Sequence, residues 1–328
     1  EMATVRELID RGNKNGVPGL RVLTGEEVRA MEPAISGEVV GALYAPSAAI
    51  VSPWEFCLAL AETAVRNGVE LRLSSPVTAI EKREGSFLLR TASGDVEARY
   101  VVNAAGVESD RVHAMVGGDS FHITPNRGEY YLLDKTQGTL VDKVVFQCPN
   151  KDGKGVLVAP TVHGNLIVGP NAQAVDGPDE VGNTAAGLAF VKKMALKSVP
   201  GINFRDSIRN FAGVRANSDQ SDFIIEESEA APGFINLGGI KSPGLSAAPA
   251  IGVEAVKLLQ GCGLQLEEKD SFTDTRSRVV FRHLPPEEKE RMVRENPLYG
   301  RVICRCETIT EGEIVEAIHR PIVPRPID

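Results

Sequence analysis

The sequence has no excess of positive charge and no long apolar run. Lysine and arginine together number 36 against 44 acidic residues, a formal net charge of −8 over 328 residues. That balance excludes the basic footprint of a nucleic-acid binder and a polybasic membrane patch. No apolar stretch nears the roughly 18 residues that a membrane-spanning helix needs, so no transmembrane segment is expected. A cytoplasmic location is expected, with peripheral membrane association left open. Five cysteines make no disulfide framework in a chain of this length. Cys57, Cys148 and Cys262 are isolated in sequence and are expected as buried small apolar residues. The start lacks both an initiator methionine at position 1 and a signal-peptide pattern, and residues 1–9 begin abruptly in a helical pattern, as a piece of a longer chain would.

What is present is the composition of an ordinary globular protein, 42% hydrophobic and 24% charged, long enough for about two domains. Residues 3–11 read as the end of an amphipathic helix. Thr24-Gly25-Glu26-Glu27 reads as the cap and first turn of a helix through Met31, stopped by Pro33, and 39–45 as a small strand. The next helix has Ser52 as its cap, Pro53 at the first position, Glu55 three residues after the cap and Gly68 as its stop. Phe56, Leu60 and Ala64, with Cys57, Ala61 and Val65, form one broad apolar face, expected in a core. A strand over 69–73 follows, then β runs over 77–82, 87–91 and 96–103, the last entering Ala104-Ala105-Gly106.

From 121 to 169 only β runs occur (121–124, 128–133, 141–146, 155–159 and 165–168), which predicts an antiparallel layer. A helix over 184–197 and strands over 207–214, 223–227 and 234–237 complete the pattern. The unit over 234–260 is a strand, a glycine pair at Gly238-Gly239, and a helix opened by Ile240-Lys241-Ser242-Pro243-Gly244-Leu245-Ser246. Such a turn aims a helix N-terminus at whatever lies above the sheet edge.

Five segments in order carry a resemblance. They are Gly41-Ala42-Leu43-Tyr44-Ala45-Pro46 through Ser52-Pro53, Val101-Val102-Asn103-Ala104-Ala105-Gly106, Pro125-Asn126-Arg127-Gly128-Glu129-Tyr130, Phe211-Ala212-Gly213-Val214-Arg215, and Gly239-Ile240-Lys241-Ser242-Pro243-Gly244-Leu245. Over residues 20–260 the chain resembles the FAD-dependent oxidoreductases of the D-amino-acid oxidase superfamily, in the branch of glycerol-3-phosphate dehydrogenases and L-2-hydroxyglutarate oxidases. The resemblance implies an α/β protein, α+β overall, with an FAD-binding two-dinucleotide-binding-domain fold and an inserted antiparallel-sheet substrate domain. It departs from the family in one respect. No Gly-x-Gly-x-x-Gly fingerprint is present, and Gly153-Lys154-Gly155 lacks the third glycine, so the N-terminal βαβ portion that anchors the diphosphate is expected to be missing.

The implied domains are 1–118 as a partial FAD-binding domain, with 39–50 contributing to the substrate layer, 119–206 as the antiparallel substrate domain, 207–262 as the return to the FAD-binding domain, and 263–328 as a linker with an incomplete [2Fe–2S]-type domain. The last assignment rests on Val302-Ile303-Cys304-Arg305-Cys306-Glu307, which resembles the start of a bacterioferritin-associated-ferredoxin-like domain. Such a cluster needs four thiolates, so Cys304 and Cys306 are half a site, and [2Fe–2S] belongs only to a complete chain.

The same resemblance implies oxidation of a small anionic 2-hydroxy compound, of the glycerol 3-phosphate or 2-hydroxyglutarate type, by hydride transfer to flavin N5. Electrons would pass to an acceptor protein or missing domain. Val77, Ala104, Ala105, Gly106, Gly239, Ile240, Lys241, Gly244, Leu245 and Ser246 are implied at the cofactor, with Lys241 stabilising the reduced ring. Arg127 and Arg215 are implied at the substrate's anionic group, and in the reaction, with Tyr130 beside them, because a guanidinium can take a phosphate or carboxylate by paired hydrogen bonds. The Gly169-Pro170-Asn171-Ala172 loop resembles one that borders the substrate roof. His113, His122 and His163 fit structural and catalytic roles equally, so no general base is assigned. An amine oxidase of the glycine or sarcosine type is the alternative enzyme, and a catalytically silent fragment or binding subunit the alternative of another class.

Overall fold

The computed structural model describes residues 1–149, 155–276 and 278–322. Gly153 and Lys154 lie outside the described residues. Contacts divide the chain into two compact units, one of Glu1–Val51 with Ser74–Leu266, the other of Ser52–Leu73 with the chain from Glu267 onwards.

The first unit is built on two sheets and a meander. In the larger sheet the strand Asn126–Leu133 takes Leu166–Gly169 and Gln173–Ala174 on one edge and Ser207–Arg215 on the other. Leu157–Pro160 and Val145–Phe146 continue it outward from Leu166–Gly169. All these pairs are antiparallel, as the run of short strands predicts. Leu133, Val158, Leu166 and Val168 form its core beneath Val191 and Ala195 of the helix Ala185–Ser198. The expectation that 207–214 returns to the FAD-binding domain is corrected here. Ser207–Arg215 lies along the whole length of Asn126–Leu133, with one register shift near Ser207. Pairing from Ser207 to Arg215, interrupted only at Ile208, is a long-range arrangement with no local signature, and it settles its place.

In the smaller sheet Phe234–Gly238 is fully buried, antiparallel to Ile224–Glu227 and parallel to Val101–Asn103. The helix Gly244–Gly261 packs Ile251 and Ala255 onto Ile235 and Leu237, so the expected strand, glycine turn and helix are present as read. The 96–103 run divides instead. Val96–Ala98 completes a meander with Val77–Arg83 and Ser86–Thr91, whereas Val101–Asn103 crosses to the parallel pair.

The second unit contains the helix Pro53–Arg66, capped as expected by Ser52, whose Oγ accepts from the Glu55 N–H at 3.4 Å. Its apolar face is not the expected core, and Cys57 is exposed rather than buried. The buried residue is Glu62, which takes Arg276 Nε at 2.5 Å, while Arg276 Nη1 reaches Glu55 at 2.9 Å. Asn67 donates to the Thr273 carbonyl at 2.8 Å. Polar anchors some two hundred residues away in sequence thus draw 52–73 to the C-terminal segment and away from the domain boundary expected at 263. Residues 69–73 form no strand. Among the described residues no helix is long and apolar enough to cross a membrane.

Candidate active site

Side chains alternate faces along a strand, so residues an odd number apart cannot share one. In Asn126–Leu133 this separates Asn126, Gly128 and Tyr130 from Arg127, Glu129 and Tyr131. Asn126 and Tyr130 line a cavity of about 590 Å³ and Arg127 does not, a size suited to a small-molecule ligand. Arg127 is 7% exposed; its Nη2 donates to Gln173 Oε1 at 2.8 Å, and its Nε lies 3.9 Å from Glu129 Oε1. The structure therefore brings together only one of the two arginines proposed for the substrate.

That one is Arg215, opposite Asn126 in the register of the neighbouring strand. Its Nη1 donates to Asn126 Oδ1 at 2.9 Å and its Nη2 to the Asn171 carbonyl at 3.2 Å. Both acceptors are neutral, and among the described residues no carboxylate pairs with Arg215. Gly128 makes the space, since a Cβ there would stand 2.2 Å from Arg215 Nη2. Tyr130 stacks on Phe211 with ring centroids 5.1 Å apart. Burial pushes the Tyr130 phenol above its ordinary value, opposed by the Arg215 charge.

Pro170, Asn171 and Ala172 form part of the wall, with Asn217. Phe146, Leu157, Phe190 and Met194 supply an apolar side. Lys241 enters from the turn after Phe234–Gly238 and also lines the cavity. Asn126 and Asn217 went unassigned in the sequence reading, and Asn171 was placed there only as part of a loop bordering the substrate roof. The even spacing of Asn126, Gly128 and Tyr130 could have found the first of them, whereas the other two come from loops whose placement no periodicity encodes.

Val101–Asn103 and Phe234–Gly238 run parallel in register, Asn103 beside Asn236, so their C-terminal ends lie side by side. Ligands of open α/β sheets sit at such ends. Beyond Asn103 the chain exposes Ala104 and Ala105, and Gly106 adopts φ +59° with open space where a Cβ would be. Asn103 Nδ2 donates to Asn236 Oδ1 at 3.0 Å, and the buried Asn236 Nδ2 has no partner. Beyond Gly238, Gly239 turns with φ +62° and Gly244 opens an 18-residue helix that no side chain caps. Its first N–H groups are a ready electrostatic partner for negative charge. Small residues at one strand end, an uncapped helix start and an unpartnered amide are features that could hold part of an FAD. Leu245 and Ser246 are exposed in that first helical turn and Ile240 is half-buried against its core. Val77 packs half-buried on the cluster of Ile80, Phe87 and Val101.

None of the three histidines considered lines the cavity. His113 is buried, stacked on Phe121 at 5.4 Å, with Nε2 2.8 Å from Ser228 Oγ; His122 and His163 are exposed. In the second unit Cys304 and Cys306 are exposed near the hairpin of Val302–Cys304 and Ile309–Thr310, ahead of the helix Glu311–Ile318 with its Thr310–Glu313 capping box. Among the described residues no group of three or more His, Cys, Asp or Glu could hold a metal ion.

Comparison with known proteins agrees with this geometry. The profile of the family described as "FAD dependent oxidoreductase" matches residues 1–258. A glycerol 3-phosphate dehydrogenase of Caloramator mitchellensis is 46% identical over 329 residues, covering 100% of this chain and 68% of that protein. A glycerol 3-phosphate oxidase of Mycoplasma genitalium is 32% identical over 272 residues, 80% of this chain and 70% of its own. Among solved structures, the dithionite-reduced L-alpha-glycerophosphate oxidase from Mycoplasma pneumoniae with FAD bound superposes with a TM-score of 0.77 at 32% identity, covering 84% of this chain and 73% of that one. With the profile spanning most of the chain and the fold shared with an FAD-bound relative, this chain belongs to the FAD-dependent oxidoreductase family and is an FAD-dependent oxidoreductase.

Proposed function

We propose that the protein oxidises the secondary alcohol of glycerol 3-phosphate, with 2-hydroxyglutarate as the second candidate of the same type. The observation that carries this reading is Arg215, a guanidinium on the cavity wall whose bonds go to two amide oxygens. Its charge is free for an anion, and Lys241, which lines the same cavity, adds a second positive charge. The names of the relatives favour the phosphate over the dicarboxylate.

When bound, FAD supplies the hydride acceptor. Arg215 holds the substrate's anionic group by two-point hydrogen bonding, and Tyr130 and the Asn126 and Asn217 amides orient the remainder. Phe146, Leu157 and Phe190 exclude water from one side. With FAD bound, Lys241 and the uncapped start of the helix Gly244–Gly261 would stabilise the negative charge of the reduced ring. A helix N-terminus contributes about 0.3–1 kcal/mol when exposed and up to about 2 when partly buried, so the lysine is the larger lever.

Anaerobic addition of glycerol 3-phosphate to the flavin-loaded protein should bleach its yellow absorbance. Bleaching by glycine or sarcosine alone would favour an amine oxidase, and failure to take up FAD a non-catalytic subunit. The proposal extends to the electron path, in which electrons leave through a [2Fe–2S] centre to which Cys304 and Cys306 donate two thiolates. Reduced acceptor rather than peroxide is then the product. A cytoplasmic protein meeting its acceptor at a membrane surface would suit this path.

A further inference from the structure

Glu129 lies behind the cavity wall and does not line it. Its side chain is fully buried. Asn171 Nδ2 donates to Glu129 Oε2 at 2.7 Å, and the Glu129 backbone N–H donates to Asn171 Oδ1 at 2.8 Å, so the two residues clamp each other at two points. The carbonyl of that same Asn171 accepts from Arg215 Nη2. Thr184 donates to the carboxylate from both its backbone N–H and its hydroxyl. Gly187, in the first turn of the helix Ala185–Ser198, leaves the room, because a Cβ there would stand 1.3 Å from Glu129 Oε2.

We propose that Glu129 is a positioning residue for substrate binding: through the clamped Asn171 it sets the direction of the Arg215 guanidinium, and it keeps Arg127 as its own counter-ion. The proposal rests on the reading of Arg215 as the partner of the substrate's anion. Two arginines near one buried carboxylate would ordinarily compete for it. Strand alternation resolves the competition, placing Arg127 on the carboxylate's face and Arg215 on the other. On the buried side Arg127 Nε stands 3.9 Å from Glu129 Oε1, an ion pair without a hydrogen bond, and on the cavity side Arg215 donates to neutral oxygens. A second consequence is geometric. The Asn171 carbonyl can aim Arg215 only while its own side chain is held, and Glu129 supplies both contacts that hold it.

The test is a double-mutant cycle in the flavin-loaded protein, with KM and kcat for glycerol 3-phosphate measured in wild type, Glu129→Gln, Arg215→Ala and the double variant. Glu129→Gln should raise KM about tenfold with a smaller change in kcat, and should change KM less than about twofold once Arg215 is already alanine, because coupled residues are not additive. Equal effects in both backgrounds would show that Glu129 acts on the fold at large and would overturn the proposal. So would an unchanged KM in Glu129→Gln while Arg215→Ala raises it. An unchanged KM in Arg215→Ala would instead remove the reading of Arg215, and the positioning role with it. Should Glu129→Gln fail to fold, Asn171→Ala breaks the clamp while leaving Thr184 on the carboxylate, and the same cycle is run with it.

Discussion

Gly128 and Arg215 occupy one space on neighbouring strands, the guanidinium lying where a side chain at 128 would be. A Cβ at 128 would also stand 2.9 Å from Pro170 Cβ, so Arg215 sits over bare backbone beside the loop that walls the cavity. Gly128→Ala should therefore displace Arg215, raising KM for glycerol 3-phosphate about tenfold and lowering stability by about 1–3 kcal/mol. Steady-state kinetics and urea unfolding check the two parts separately. A variant with wild-type KM would mean that the guanidinium's position does not matter to binding.

Lys241→Met keeps most of the unbranched stem of the side chain and removes its charge. If the ammonium faces negative charge on the reduced cofactor, the flavin midpoint potential should fall by at least about 30 mV, the equivalent of about 1.4 kcal/mol for a two-electron couple. Potentiometric titration measures it directly. An unchanged potential would leave Lys241 as a solvated lysine beside a helix start.

His113 makes stability depend on pH. Burial holds its pKa below the ordinary 6.5, opposed by the more distant charges of Glu226 and Asp119. A group whose pKa is lower when folded binds its proton more readily when unfolded, so stability rises with pH through that window. The contribution is complete above about pH 6.5 and is lost as pH falls through the folded pKa. Chemical denaturation at pH 5 and pH 7.5 should show the loss in wild type and a smaller one in His113→Gln.

In the second unit, Glu62→Ala should cost about 3 kcal/mol, because it strips a buried carboxylate from Arg276, whose side chain is 12% exposed. Replacing an exposed apolar residue on the same helix, as in Leu60→Ala, should cost less than about 0.5 kcal/mol. Thermal unfolding of the two variants would rank them, and the reverse order would restore the apolar face as the buried one.

Local chemistry was legible where its cause is local. Thr24 with Glu27, Ser52 with Glu55, and Gly68 with its φ of +94° are contacts or conformations within a few residues, and each lies where its pattern placed it. The turn after Phe234–Gly238 and the small residues after Asn103 were readable for the same reason. The fold class and the flavin followed from such segments taken in order, together with the family they resemble. Tyr130, Arg215 and Lys241 were among the residues the resemblance implied, and all three line one cavity.

The sequence by itself therefore determined most of the elements and their caps, since these depend on backbone preferences and on residues near in the chain, and the resemblance carried by its segments in order implied the cofactor. Tertiary structure alone decided which arginine serves the cavity. Arg127 and Arg215 stand in equally suggestive motifs, but strand alternation and a register set by Ser207–Arg215 lying along Asn126–Leu133 send one guanidinium to Glu129 and leave the other with neutral partners. It also decided that the helix Pro53–Arg66 buries a carboxylate rather than its leucines, because Arg276 arrives from 214 residues beyond Glu62. Pairings over such distances depend on which surfaces meet, and no local period records that.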